Sequence, residues 1–279
     1  MTTASDTIDA SEGVTDAIVS ARALTLRFGG VTSLNNVTIA QQRGEILAVI
    51  GPNGAGKTSL FNCLTGVYEP QEGSITLRPS KGGEVSLLKR KPHKVNNLGV
   101  ARTFQNIRLF NALTAVENVK IGVESRQHAG PVSAMLGLPN QRREERASDA
   151  RAVELLRFVG LAAQANELAA SLSYGQQRRL EIARALATGP ELLLLDEPAA
   201  GTNPSEKIEL TELIRRINRE MQISVLLIEH DMRLVMALAD RVAVLNFGKV
   251  IAGGRPEQVQ RDPAVVEAYL GAAEEDEAS

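Results

Sequence analysis

The run Gly51-Pro52-Asn53-Gly54-Ala55-Gly56-Lys57-Thr58 constrains the fold of this chain more than any other stretch. It fits the pattern G-x-x-x-x-G-K-[ST], a loop whose glycines let successive backbone N–H groups turn inward around phosphate oxygens. The segment before it, Ile46–Ile50, is continuously apolar, as expected of a strand buried on both faces of a sheet. A helix-like run from about Lys57 to Thr65 follows, and its N-terminus adds a dipole to the anion site. In that setting Lys57 reaches the β and γ phosphates of ATP, the Thr58 hydroxyl ligates Mg2+, and Ser59 belongs to the same binding turn.

Around this unit the pattern is that of an α/β protein. Short strand-like runs at Leu24–Phe28 and Val37–Ala40 precede the loop, and a hairpin-like region with Gly73, Gly82 and Gly83 follows it. From about Val116 to Leu186 the pattern is helical, clearest over Arg142–Val159, where Ala152, Leu155, Leu156 and Val159 share a face. Strand patterns return at Glu191–Leu195, Ile223–Ile228 and Val242–Leu245, around a helix near Pro204–Glu220. A parallel α/β core interrupted by a helical insertion accounts for this order.

Composition excludes several classes. A net charge of −2 gives no electrostatic footprint for DNA or RNA, and 3% aromatics with no Trp supply no stacking platform. The lone Cys63 rules out an internal disulfide and reads as a small core residue. No secretory signal and no apolar run long enough to span a bilayer are expected, so any membrane role is peripheral. Residues 1–20 read as a disordered tail, residues 21–272 as the folded domain, and 273–279 as a solvated acidic end.

The run Leu192-Leu193-Leu194-Leu195-Asp196-Glu197 is an apolar strand ending in two carboxylates. At such a strand end beside a phosphate loop, Asp196 holds the Mg2+ shell, and Glu197 points at the γ-phosphate to orient or deprotonate water. Ile228-Glu229-His230-Asp231 repeats the geometry, with His230 placed to contact the γ-phosphate and the attacking water. The ends of parallel strands face the ligand crevice, which favours this over a surface role for His230.

Leu172-Ser173-Tyr174-Gly175-Gln176-Gln177, followed by Arg178 to Leu186, resembles the signature of ABC ATPases, with Tyr174 replacing the first glycine. The remaining landmarks of that family fall in order, and the similarity runs from about Val19 to Gly271. The resemblance implies a P-loop ABC ATPase fold: a RecA-like parallel-sheet core, an antiparallel β subdomain, and a helical signature subdomain over about 107–187. It places Phe28 on the adenine and Gln105 between Mg2+, water and the membrane subunit. Asn203 stands where many relatives carry Asp in the loop crossing the dimer. The implied assembly is head to tail, with Ser173, Gly175 and Gln176 facing the γ-phosphate on a second ATPase subunit's loop.

The phrases Ala101–Phe110, Glu197–Gly201, Ile228–Met232 and Ala268–Gly271 are most similar to the larger ATPase subunit of branched-chain amino-acid importers, whose characteristic insertion is expected around Glu124–Asn140. This resemblance implies coupling of ATP hydrolysis to uptake, at the cytoplasmic face of the membrane. Its implied partners are a second ATPase (a heterodimer favoured, a homodimer the alternative), integral permease subunits and, indirectly, an extracytoplasmic solute-binding protein. A urea or amide importer ATPase is the nearest alternative, and a soluble non-transport ABC ATPase a more distant one.

Overall fold

A computed structural model describes residues 16–125 and 139–269. Its elements form two sheets and a helical layer. Strands β1 (Ala17–Phe28), β2 (Val31–Gln42), β4 (Glu72–Leu77) and β5 (Val85–Ser86) make a four-stranded antiparallel sheet in the order β2-β1-β4-β5. The second sheet has six strands, ordered β10-β9-β3-β8-β7-β6. They are β3 (Ile46–Ile50), β6 (Val100–Arg102), β7 (Leu192–Asp196), β8 (Ser224–Ile228), β9 (Arg241–Asn246) and β10 (Lys249–Gly254). All neighbours in this sheet pair in parallel except β10, which returns antiparallel on β9.

The unbroken leucines of β7 have a physical reason. Strand side chains alternate between faces, so Leu193 and Leu195 enter the core shared with the helical layer, while Leu192 and Leu194 enter the core beneath the antiparallel sheet. Both faces are dry, so both positions of the pleat are apolar, each burial contributing about 2 kcal/mol. In β3, Val49 and Leu47 face the antiparallel sheet, while Ala48 and Ile50 face helix α7 (Met232–Leu238) and the C-terminal segment.

The helical layer comprises α3 (Ala115–Glu124), α4 (Pro139–Phe158) and α5 (Tyr174–Ala187), with α1 (Lys57–Leu64) and α2 (Pro92–Asn97) preceding it in the chain. The expected face Ala152, Leu155 and Leu156 of α4, with Val159 just past its end, is buried with Val119 of α3 and Leu180 of α5. Contact between α3 and α5 is close: a side chain at Gly122 would strike the backbone carbonyl of Arg184. The expected insertion falls mostly on residues 126–138, which lie outside the described residues, as do 1–15 and the acidic end 273–279.

One boundary needs correction. Residues 17–20, read as tail, belong to β1, where Ile18 and Val19 are buried and pair with β2 and β4. Helix α6 (Pro204–Met221) lies where the sequence places it, and α8 (Pro256–Val259) follows β10.

Candidate functional site

The phosphate loop leaves β3 at Gly51 and enters α1 at Lys57. Gly51 has φ +148°, and a Cβ there would collide with the Leu245 carbonyl of β9. Gly56 caps α1 at φ +102°, and a Cβ there would lie 2.6 Å from the Ser33 carbonyl. Glycine is required at both positions by conformation and by space. No acidic residue enters the first turn of α1, so its N-terminal N–H groups retain their positive field. The Lys57 ammonium donates to the carbonyls of Gly51 (2.7 Å) and Pro52 (2.8 Å). Burial lowers its pKa, against the opposing pull of Glu197 and Asp196. Ser59 shares a 2.7 Å hydrogen bond with Ser33 of β2, tying the helix to the antiparallel sheet.

Three strand ends converge beside this loop, because β8 lies between β3 and β7, and β6 flanks β7. Glu197, one residue past β7, has a left-handed backbone at φ +45°. Its carboxylate accepts from the Gln105 amide at 3.0 Å, and His230 Nδ1 stands 3.9 Å from the same oxygen. Glu197, Gln105 and His230 therefore form one cluster. Asp196, at the end of β7, is buried and accepts from Arg102 at 2.7 Å.

The donor set fits Mg2+ that arrives with phosphate. Thr58, Asp196 and Gln105 offer hard oxygens with one carboxylate, and Mg2+ is held in such sites by one or two carboxylates plus substrate phosphates and water. Among the described residues no cluster of three acidic, His or Cys side chains could hold a metal by itself.

Phe28, at the end of β1, is 46% exposed and packs edge-on against Tyr68, with ring centroids 5.1 Å apart. A half-exposed aromatic held upright by a second ring is suited to stacking on a flat base. Tyr68 went unnoticed in the sequence because it lies in a loop without periodicity.

Ser173 is the N-cap of α5, and Gly175 and Gln176 sit in its first turn. Ser173 and Gln176 form a reciprocal capping box, with Gln176 N–H donating to Ser173 Oγ at 3.3 Å and Ser173 N–H to Gln176 Oε1 at 2.9 Å. The Tyr174 ring packs on Gly201, and its hydroxyl accepts from Arg178 at 3.2 Å. Asn203 caps α6 by accepting from Glu206 N–H at 2.9 Å, so its side chain is already engaged within its own subunit.

Arg178, Glu181 and Glu229 are among the buried charges missed by sequence reasoning. Arg178 donates to the carbonyls of Phe104 (2.7 Å) and Gln105 (2.8 Å) and pairs with Glu181 at 3.0 Å. Glu181 in turn accepts from the N–H groups of Phe104 and Arg108, so α5 grips the Gln105 segment from both sides. Burial raises the Glu181 pKa, with Arg178 opposing. Glu229 is also buried, which raises its pKa, and it accepts from the N–H groups of Ala199, His230 and Asp231. It thereby holds the His230 turn against the loop after Glu197. The available signal was charge in otherwise apolar surroundings: Glu229 directly after a buried strand, Arg178 and Glu181 one helical turn apart.

Known proteins share this sequence and fold. A family model described as ABC transporter matches residues 34–200, and one described as branched-chain amino acid ATP-binding cassette transporter matches 249–275. The high-affinity branched-chain amino acid transport ATP-binding protein LivG of Salmonella typhimurium is 45% identical over 92% of this chain and 98% of that protein. The corresponding protein BraF of Pseudomonas aeruginosa is 46% identical over the same shares of both chains. The ADP conformation of MJ1267, an ATP-binding cassette of an ABC transporter, superposes with a TM-score of 0.78 at 30% identity, covering 92% of this chain and all of that one. With its phosphate loop, paired strand-end carboxylates and capped signature helix in one fold, the chain belongs to the ABC transporter family, as one of its ATP-hydrolysing subunits.

Proposed function

We propose that this chain drives uptake of branched-chain amino acids through ATP hydrolysis, as a peripheral subunit on the cytoplasmic face of the membrane. Among the described residues no helix is long and apolar enough to cross a membrane. The observation that carries the catalytic part is the Glu197 carboxylate held between Gln105 and His230 at the mouth of the phosphate loop. The substrate class rests on the named relatives and on the C-terminal family match.

In this reading Gly51–Gly56 wrap the phosphates with backbone N–H groups, and Lys57 leaves its loop carbonyls for the β and γ oxygens. Phe28 stacks on the adenine. Mg2+, when bound by Thr58, Asp196 and Gln105, neutralises phosphate charge. Glu197 orients the attacking water and takes its proton, and His230 contacts the γ-phosphate. Ser173, Gly175 and Gln176 complete the site of a second ATPase subunit, a sister chain in the favoured assembly and an identical copy in the alternative. A single chain consequently hydrolyses ATP poorly.

The test is purification from detergent-solubilised membranes, followed by ligand binding to the associated solute-binding protein. Integral permease subunits should co-purify, and the binding protein should take leucine, isoleucine or valine. Recovery without any integral subunit would remove the transporter reading. A binding protein specific for urea or amides would replace the substrate class.

A further inference from the structure

Arg102 ends β6 three residues before Gln105, and its side chain is 8% exposed. One guanidinium nitrogen donates to Asp196 Oδ2 at 2.7 Å, and the other to Asn62 of α1 at 2.6 Å. The group lies between the rings of Phe61 and Phe104, 5.6 and 5.3 Å from their centroids. It therefore joins the helix of the phosphate loop, the end of β7 and the Gln105 segment in one buried contact. Asp196 is itself only 5% exposed, so no bulk water screens the pair. The sequence phrase containing Arg102 drew attention to Gln105 and gave this arginine no role.

We propose that Arg102 is a positioning residue for Asp196, and that its charge makes Mg2+ capture contingent on the nucleotide's phosphates. The inference rests on the reading of Asp196 as the Mg2+ ligand. Geometrically, Arg102 holds Oδ2 and fixes the plane of the carboxylate that would meet the metal. Electrostatically, Arg102 and Lys57 oppose Asp196 and Glu197, and Coulomb effects from both acids reach Lys57. With that balance the site has little net attraction for a bare divalent cation. Phosphates tip the balance by adding negative charge, and metal and nucleotide then bind as a unit.

Removing the positive charge has a determinate sign. Without Mg2+, the phosphates face Asp196 with less compensation and bind more weakly. With Mg2+, the metal meets less repulsion and binds more tightly. The ratio of nucleotide dissociation constants in EDTA and in Mg2+ therefore rises, by about tenfold or more for a unit charge removed within a few ångströms of the metal ligand. A residue that only fills space moves both constants together and leaves the ratio alone.

The experiment titrates the full chain with a fluorescent ADP analogue, in EDTA and in saturating Mg2+. Arg102→Gln keeps a shorter hydrogen-bonding side chain without charge, Arg102→Met removes hydrogen bonding and charge together, and Arg102→Lys keeps the charge. Circular dichroism identifies the folded variants. The ratio should rise about tenfold or more in the Gln and Met variants and stay within about threefold of wild type in the Lys variant. An unchanged ratio in a folded Gln or Met variant overturns the proposal, as does a tenfold rise in the Lys variant. Asp196→Asn separates the two readings: it should collapse the ratio towards one. If it does not, the Mg2+ assignment itself is wrong. If it does while the neutral Arg102 variants match wild type, only the role of Arg102 falls.

Discussion

Breaking the buried pair between Arg178 and Glu181 should destabilise the protein more than removing it whole. Both side chains are nearly inaccessible, at 1% and 2% exposure, and Arg178 also holds the carbonyls of Phe104 and Gln105. Arg178→Met leaves Glu181 as a buried carboxylate without its counterion, a loss of about 3–5 kcal/mol. Protonation of Glu181 limits that loss. Burial already raises its pKa with Arg178 in place, and removing Arg178 raises it further. A carboxyl raised in the folded state contributes stability that is present below its unfolded pKa and lost as pH rises through the folded one. The variant should accordingly be less impaired at pH 5 than at pH 8, by about 1.4 kcal/mol for each unit of the additional shift that lies in this window. Arg178→Met with Glu181→Leu removes both charges and should be destabilised by about 2 kcal/mol, from the two carbonyls left without Arg178 and the two N–H groups of Phe104 and Arg108 left without Glu181. Urea unfolding followed by circular dichroism at both pH values measures the cycle. The reasoning fails if Arg178→Met lies within about 0.5 kcal/mol of wild type, or if the double variant equals the sum of the singles.

Other substitutions probe the site directly. Glu197→Gln should bind ATP and stall hydrolysis, giving an ATP-bound dimer on size exclusion; near-normal turnover would take Glu197 out of catalysis. Lys57→Ala should weaken a fluorescent ATP analogue by about 2 kcal/mol or more, as loss of a charged hydrogen-bond donor does, and unchanged binding would contradict the loop assignment. Cys63 is buried in α1, and burial pushes its thiol up to about 12. A thiol reagent at pH 8 should leave the folded protein untouched and react after urea unfolding; prompt reaction of the native protein would refute the burial.

Local signals made much of this molecule readable. The phosphate loop announces itself because strand, glycines and helix are contiguous, and Leu192–Glu197 does so because both faces of β7 are dry. The hairpin of β1 and β2 was read too short. Both strands span twelve residues, but Ala23 and Asn36 carry positive φ, and the pairing register shifts between Ala21 and Leu24. Those irregularities break the alternation by which a strand is recognised, and residues 17–20 gain their order from distant partners in β2 and β4. The same holds for chemistry. Glu197 and His230 are visible as strand-end residues and Gln105 through the resemblance of its phrase to the family's, whereas the partnerships of Arg102, Arg178 and Glu229 arise only when separate segments meet.

The signature helix shows what such partnerships mean for turnover. Ser173 and Gln176 satisfy one another through their capping box, as Lys57 satisfies itself on loop carbonyls and Gln105 on Glu197. At these four side chains, ATP arriving at the proposed site thus exchanges one set of partners for another. Exchange reactions of this kind have small net free energies even when each new bond is strong. The chain can grip a triphosphate through these side chains and still let the diphosphate go, because Lys57, Gln105, Ser173 and Gln176 each have a domestic partner to return to.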